Sequence, residues 1–335
     1  MSAEADDYRG QHWRGRAVFK ADGHGVVDLD HARPTSGTYR RVDGMGLFWS
    51  MTPPTGDPEE ASFSTGRLSE RTSYPVEISA AVHGRRVAHR TLVRQWEAAG
   101  VTHKIFTVAD DKVSAELFSP PSKQRRPAVL LVGGSEGGYG PVYEGALLAS
   151  HGFPALSLAY FDAPDLPATL HDIPLEYFAR AARLLAAQQH PGLVRGAVVY
   201  SPSATVNPGF PDQRDNAWTD HGRPVPTGTT IPLDHVSGPV LAIAGAKDGI
   251  WPSADSARLI MTELSRSRFP HQALIFPGAG HGVGTFPYLA EGTRTRHPVT
   301  GTVSDSGGGR EGDALAQEQG WPKVLAFLGG LGRSS

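Results

Sequence analysis

Asp248 and His281 are the two side chains whose types and positions say most about chemistry. Each follows a short apolar run. Residues 239–244 lead into Gly245-Ala246-Lys247-Asp248, residues 272–276 lead into Pro277-Gly278-Ala279-Gly280-His281-Gly282, and helical spacing fills 253–265 between them. Runs so short that end on glycine read as buried strands. Strands joined through a helix run parallel, so both residues emerge at one sheet edge. There a histidine can take a proton from a nucleophile while a carboxylate fixes its tautomer and stabilises the imidazolium. Each residue also has an ordinary role, Asp248 as a helix cap and His281 as one of 14 histidines. The order acid then histidine at consecutive strand ends favours the pair.

A third glycine turn lies earlier, in PAVLLVGGSEGGYG at 127–140. A phosphate-cradling loop would need Gly-Lys-Ser/Thr at its end, and Gly137-Gly138 is followed by Tyr139. A dinucleotide fingerprint would need glycine where Ser135 stands. Asp162, at the end of the next apolar run, keeps a nucleotide-dependent oxidoreductase as a distant alternative. The remaining chemistry is acyl transfer, with backbone N–H groups of Gly133, Gly134, Ser135 and Glu136 holding an oxyanion. The same residues spell G-x-S-x-G, which makes Ser135 a candidate nucleophile in the order Ser135, Asp248, His281.

Composition narrows the field. The net charge is −2 and no basic run reaches five residues, so neither nucleic acid nor an anionic membrane is an expected partner. Absence of Cys removes disulfides, thiolate metal sites and a cysteine nucleophile together. No cluster has metal-ligand spacing, and neither metal nor cofactor is expected. The polar start MSAEADDYRG and the lack of any apolar run near ~18 residues suggest a cytoplasmic protein.

The elements that must position these residues fall into two parts. Residues 1–122 hold short segments broken by Gly, Pro, Asp and Ser, a β-sandwich pattern. Residues 123–335 alternate strands and helices, an α/β fold with a mostly parallel sheet and flanking helices. Residues 173–189 form an amphipathic helix, and 313–328 a helix that Gly320 and Pro322 interrupt or kink. The patch 45–51, MGLFWSM, reads as core or inter-domain packing.

Taken together, GMGLFWSMTP (44–53), LLVGGSEGG, LASHGFPALSLAYFDAPDLP, IPLEYFARAARLL, AGAKDGIWPS, PGAGHG and FPY resemble the acyl-CoA thioesterase and bile acid-CoA:amino acid N-acyltransferase family over nearly the whole chain. The resemblance implies an Ig-like sandwich before an α/β-hydrolase domain, with an acyl-CoA or related thioester as substrate. It implies acid and base roles for Asp248 and His281, and an oxyanion-side turn at 133–138. It also implies a strand, a nucleophile elbow and a helix after 173–189. Only His190-Pro191-Gly192-Leu193 separates that helix from the run 194–200, and a strand plus a helix takes about 16 to 18 residues. The elbow is therefore expected to be missing, the sandwich to be shortened at its start, and the uncovered sheet to favour self-association. Direct pairing of the strands beside the gap, about 4.8 Å apart, is the route by which Ser135 would reach the vacated position.

Overall fold

The computed structural model describes residues 1–122, 126–188, 196–213, 216–233, 236, 238–284, 287–297 and 300–331. Alternating burial builds the first sheet. β1 (Ser2–Asp6) and β2 (His12–Val18) bury Ala3, Ala5, Trp13 and Ala17. With β3 (Ser36–Gly37), β4 (Ser73–Val82) and β5 (Arg85–Gln95) they form an antiparallel sheet in the order β3-β2-β1-β4-β5. Its outer face is polar, with Glu4 opposite both Arg14 and Glu77. The inner face packs on α1 (Gly46–Trp49), Tyr39, Phe63 and Leu68, and on Ala146, Ala290 and Ala314 from later in the chain. The described residues thus give one sheet where a sandwich is expected. The face bearing Arg14, Arg16 and Glu77 is solvent-exposed, and Ala146, Ala290 and Ala314 of the second domain pack on the other. Within the 45–51 patch Leu47, Phe48, Trp49 and Met51 are buried as inter-domain core, and the Trp49 indole donates to Asp43 at 2.7 Å.

The division at 122 does not coincide with the division of the sheets. β6 (Thr102–Phe106) and β7 (Ser114–Ser119), joined through the one-turn α2 (Val108–Asp111), pair with the later strands. The sheets part between Gln95 and Thr102, because hydrogen-bond partners decide membership where local composition cannot. β8 (Val129–Val132), α3 (Val142–Ser150) and β9 (Ala155–Ala159) follow, and complete a sheet in the order β6-β7-β9-β8. β9 is buried at every residue, parallel to β8 and antiparallel to β7. After β10 (Ile173–Pro174), α4 (Leu175–Gln188) turns Tyr177, Ala181 and Leu185 toward the core against β9. The connection expected to lack the elbow, 189–195, lies outside the described residues.

β11 (Ala197–Tyr200) comes next, and β12 (Trp218–Asp220) and β13 (Arg223–Pro224) make a small sheet with β10. β14 (Val240–Gly245), α5 (Ser253–Glu263) and β15 (Gln272–Phe276) complete a parallel sheet β11-β14-β15. β16 (Arg294–Arg296) and β17 (Val303–Asp305) form a hairpin. α6 (Arg310–Leu331) continues through Gly320 and Pro322 as one helix.

β8 and β11 each end a sheet. The β8–α3–β9 connection leads to one side of β8, so a strand following α4 belongs on the other side, at the kind of switch point where open α/β sheets bind ligands. Among the described residues no strand stands there, and β8 and β11 do not pair with each other. A cavity of about 890 Å³ opens between them. The halves are joined through one apolar layer: Val129 and Leu131 of β8, Leu148 of α3, Leu241 and Ile243 of β14, and Val324 and Leu328 of α6.

Candidate active site

The turns after β14 and β15 bring Asp248 and His281 together, with Asp248 Oδ2 2.9 Å from His281 Nδ1. The other carboxylate oxygen accepts the N–H groups of Ile250 at 2.9 Å and Trp251 at 3.2 Å. Burial pushes the Asp248 pKa up, but the His281 hydrogen bond, with smaller contributions from the Ser253 hydroxyl, the His281 charge and the Ile250 N–H, outweighs it and holds the group below its ordinary value. An ionised carboxylate only accepts, so Nδ1 carries the proton and Nε2 is left to act as base. The Trp251 ring stands edge-on to the imidazole, centroids 4.7 Å apart and planes at 89°.

Backbone contact explains the glycines around this pair. A Cβ on Gly245 would lie 2.0 Å from the Gly280 carbonyl, and one on Gly280 2.3 Å from the Gly307 carbonyl. The N–H groups of Gly249 and His281 both donate to the Ser306 carbonyl, at 3.1 and 2.8 Å. Three turns therefore meet main chain to main chain, and both side chains stand on a fixed base.

Ser201 is a residue the sequence did not mark. It sits just past β11 at φ 41°, its hydroxyl donates to the His281 carbonyl at 2.8 Å, and its own carbonyl accepts the Trp251 indole N–H at 2.8 Å. It braces the histidine turn. The available signal was a third apolar run ending at the same sheet edge.

The 133–136 loop is arranged differently. The Gly134 N–H, an expected oxyanion donor, points at both oxygens of the Glu136 carboxylate, each at 2.9 Å. Tyr160 donates its hydroxyl to the Gly133 carbonyl at 3.0 Å. Ser135 Oγ lies 3.3 Å from Nε2 of His297, and that nitrogen is 3.0 Å from the Ser135 carbonyl. A nitrogen facing a carbonyl carries the proton, so in this arrangement His297 cannot take one from Ser135. Gly133, Gly134, Glu136, Ser201 and His281 line the cavity; Ser135 does not. Asp162 lies against Gly137. Among the described residues the group with metal-ligand spacing is Glu176, Asp220 and His221, outside the cavity, and no helix is long and apolar enough to cross a membrane.

Parallel strands between helices, with an acid and a histidine on successive strand-end turns, define the second domain as an α/β hydrolase. The chain belongs to the BAAT / acyl-CoA thioester hydrolase family. The family's "Acyl-CoA thioester hydrolase/BAAT N-terminal region" matches residues 1–106 and its "BAAT / Acyl-CoA thioester hydrolase C terminal" matches 203–330. Relatives from Mus musculus include acyl-coenzyme A thioesterase 6, 27% identical over 377 residues with 96% of this chain and 87% of that protein covered. Peroxisomal succinyl-coenzyme A thioesterase is 27% identical over 380 residues, covering 96% and 87%. Bile acid-CoA:amino acid N-acyltransferase is 27% identical over 393 residues, covering 98% and 90%. These alignments are longer than the 335 residues of this chain. A putative dienelactone hydrolase from Klebsiella pneumoniae subsp. pneumoniae MGH 78578 superposes with a TM-score of 0.45 and 14% identity, over 68% of this chain and 98% of that one. That match is too loose to add to the topology.

Proposed function

We propose that the chain is an acyl-CoA thioester hydrolase in lineage that keeps the base, His281, and its orienting acid, Asp248, but has lost the nucleophile, and hydrolyses such thioesters slowly or not at all. The observation that carries this reading is the 2.9 Å pair facing a cavity, with His281 Nε2 bonded to none of the described residues. Further support comes from alignments longer than the chain, from the break between β8 and β11, and from relatives named as thioesterases. The chemistry left is water attack: Nε2 takes a proton from water as the oxygen bonds to the thioester carbonyl carbon, and the thiolate departs with that proton. A triad without its nucleophile retains only ~10³- to 10⁴-fold acceleration over water. Loss of one oxyanion donor costs a further ~10² to 10³. Because Glu136 already occupies the Gly134 N–H, a binding protein without turnover is the second reading.

Thiol release from a panel of acyl-CoA esters tests both. Slow release abolished in His281→Ala and retained in Ser135→Ala is the expected result. Loss of turnover in Ser135→Ala as well as in His281→Ala would identify a serine nucleophile and overturn the proposal. No release, together with saturable binding of a non-hydrolysable acyl-CoA ether, would leave the second reading.

A further inference from the structure

The wall of the cavity between the half-sheets carries an uneven set of charges. Five lining residues are carboxylic acids, Glu136, Glu144, Glu263, Glu291 and Asp313, and none of the described lining residues is Lys or Arg. They come from different elements: the loop after β8, α3, the end of α5, the segment before β16, and α6. The rest of the wall is largely apolar, including Leu130 of β8, Val198 and Val199 of β11, Ile231 and Ile260. We propose that this cavity binds amphiphilic cations, molecules with an unbranched apolar chain that ends in an ammonium group.

Glu144 anchors the argument. It lies in the first turn of α3, half-buried, and lines the cavity. Burial, with the Glu136 charge adding to it, pushes its pKa up to about 7. Burial likewise pushes Asp313 up to about 6, against the pull of the Gly280 N–H that donates to it at 2.6 Å. Acids held this way gain from a positive charge brought among them, because a nearby cation favours the charged form that burial disfavours. An anion gains nothing and adds repulsion, so the phosphates of a CoA carrier are kept out of this space and only a neutral or cationic part of a substrate enters. The apolar wall rewards a hydrocarbon chain at about 25 cal/mol per Å² removed from water.

Binding is the whole of this inference, and it stands or falls separately from turnover. Isothermal titration calorimetry at pH 7.5 with octylammonium, 1-octanol and octanoate keeps the chain length constant while the head group changes. Octylammonium is expected to bind about tenfold more tightly than 1-octanol, a difference of ~1.4 kcal/mol, with octanoate weakest. Glu144→Gln should erase most of the preference for octylammonium over 1-octanol while leaving 1-octanol binding as it was. Octanoate binding as tightly as octylammonium, no octylammonium binding at all, or an unchanged preference in a folded Glu144→Gln protein would each overturn the proposal. The wild-type comparison decides even if the variant folds poorly.

Discussion

Around Asp248 and His281 three turns touch main chain to main chain, whereas between β8 and β11 two strand edges face about 890 Å³ of space. The two regions lie on one sheet edge and belong to one family pattern. Asp248 and His281 are held by short local turns that keep their geometry beside the gap. In the proposed reading a nucleophile would need a strand of its own, and among the described residues none stands between β8 and β11.

The sharpest way to break this contrast is at Gly245. Gly245→Ala sets a methyl 2.0 Å from a backbone oxygen, and no side-chain rotation relieves it, so a loss of at least ~3 kcal/mol is expected. A melting temperature within a degree or two of wild type would show the turns are not locked. Asp248→Asn comes next. Hydrogen bonds to a charged group contribute about 1.5–3 kcal/mol. Because the Asp248 pKa is held below its ordinary 3.8, that stability is present at neutral pH and fades as pH falls through the depressed value. Denaturant curves at pH 7 and pH 3 should show the variant's deficit shrinking toward acid, and a constant deficit would count against an ionised Asp248.

Glu144 carries the opposite sign. Its carboxyl ionises at about 7 in the folded protein against an ordinary 4.5, so its ionisation removes stability progressively as pH rises from 4.5 to about 7. Glu144→Gln should therefore raise the melting temperature at pH 8 and have little effect at pH 4; equal effects at both would remove the cavity from the explanation. The smallest expected effect concerns self-association. The strand edges beside the gap line the cavity, whereas β5 ends the first sheet with a long edge, and Arg85, Arg86 and Arg90 stand along that strand. The screening length falls from ~10 Å at 0.1 M salt to ~3 Å at 1 M, which weakens repulsion between these arginines. Light scattering should show association increasing with salt, and a monomer throughout would contradict it.

Much of the dyad was legible because everything it needs is local: an apolar run, a glycine turn, a helix, and the same again. The 45–51 patch could be read as buried for a similar reason, since consecutive apolar residues have one stable place to go. What could not be read depends on distant partners. An antiparallel pair such as β6 and β7 looks the same whichever sheet it joins, and Ser135 meets a histidine 162 positions away. Ser201 was hidden by its setting, since Ser-Pro-Ser-Ala-Thr after a strand looks like ordinary loop. Glu144 sits in a nine-residue helix that is too short for periodicity to say which face is enclosed.

α6 ties the two half-sheets to the first domain. Val324 and Leu328 lie in the layer shared by both half-sheets, Glu318 accepts from Arg41 at 3.4 Å, and Arg310 donates to the Trp49 carbonyl at 3.2 Å. It is also made after every strand it joins. Domains generally fold as they leave the ribosome, at about 5–20 residues per second, and here the layer between the half-sheets lacks Val324 and Leu328 until α6 has emerged. From β8 to the end of α6 is roughly 200 residues of synthesis, some ten to forty seconds at that pace, and chaperones have their longest claim on the nascent chain in that interval.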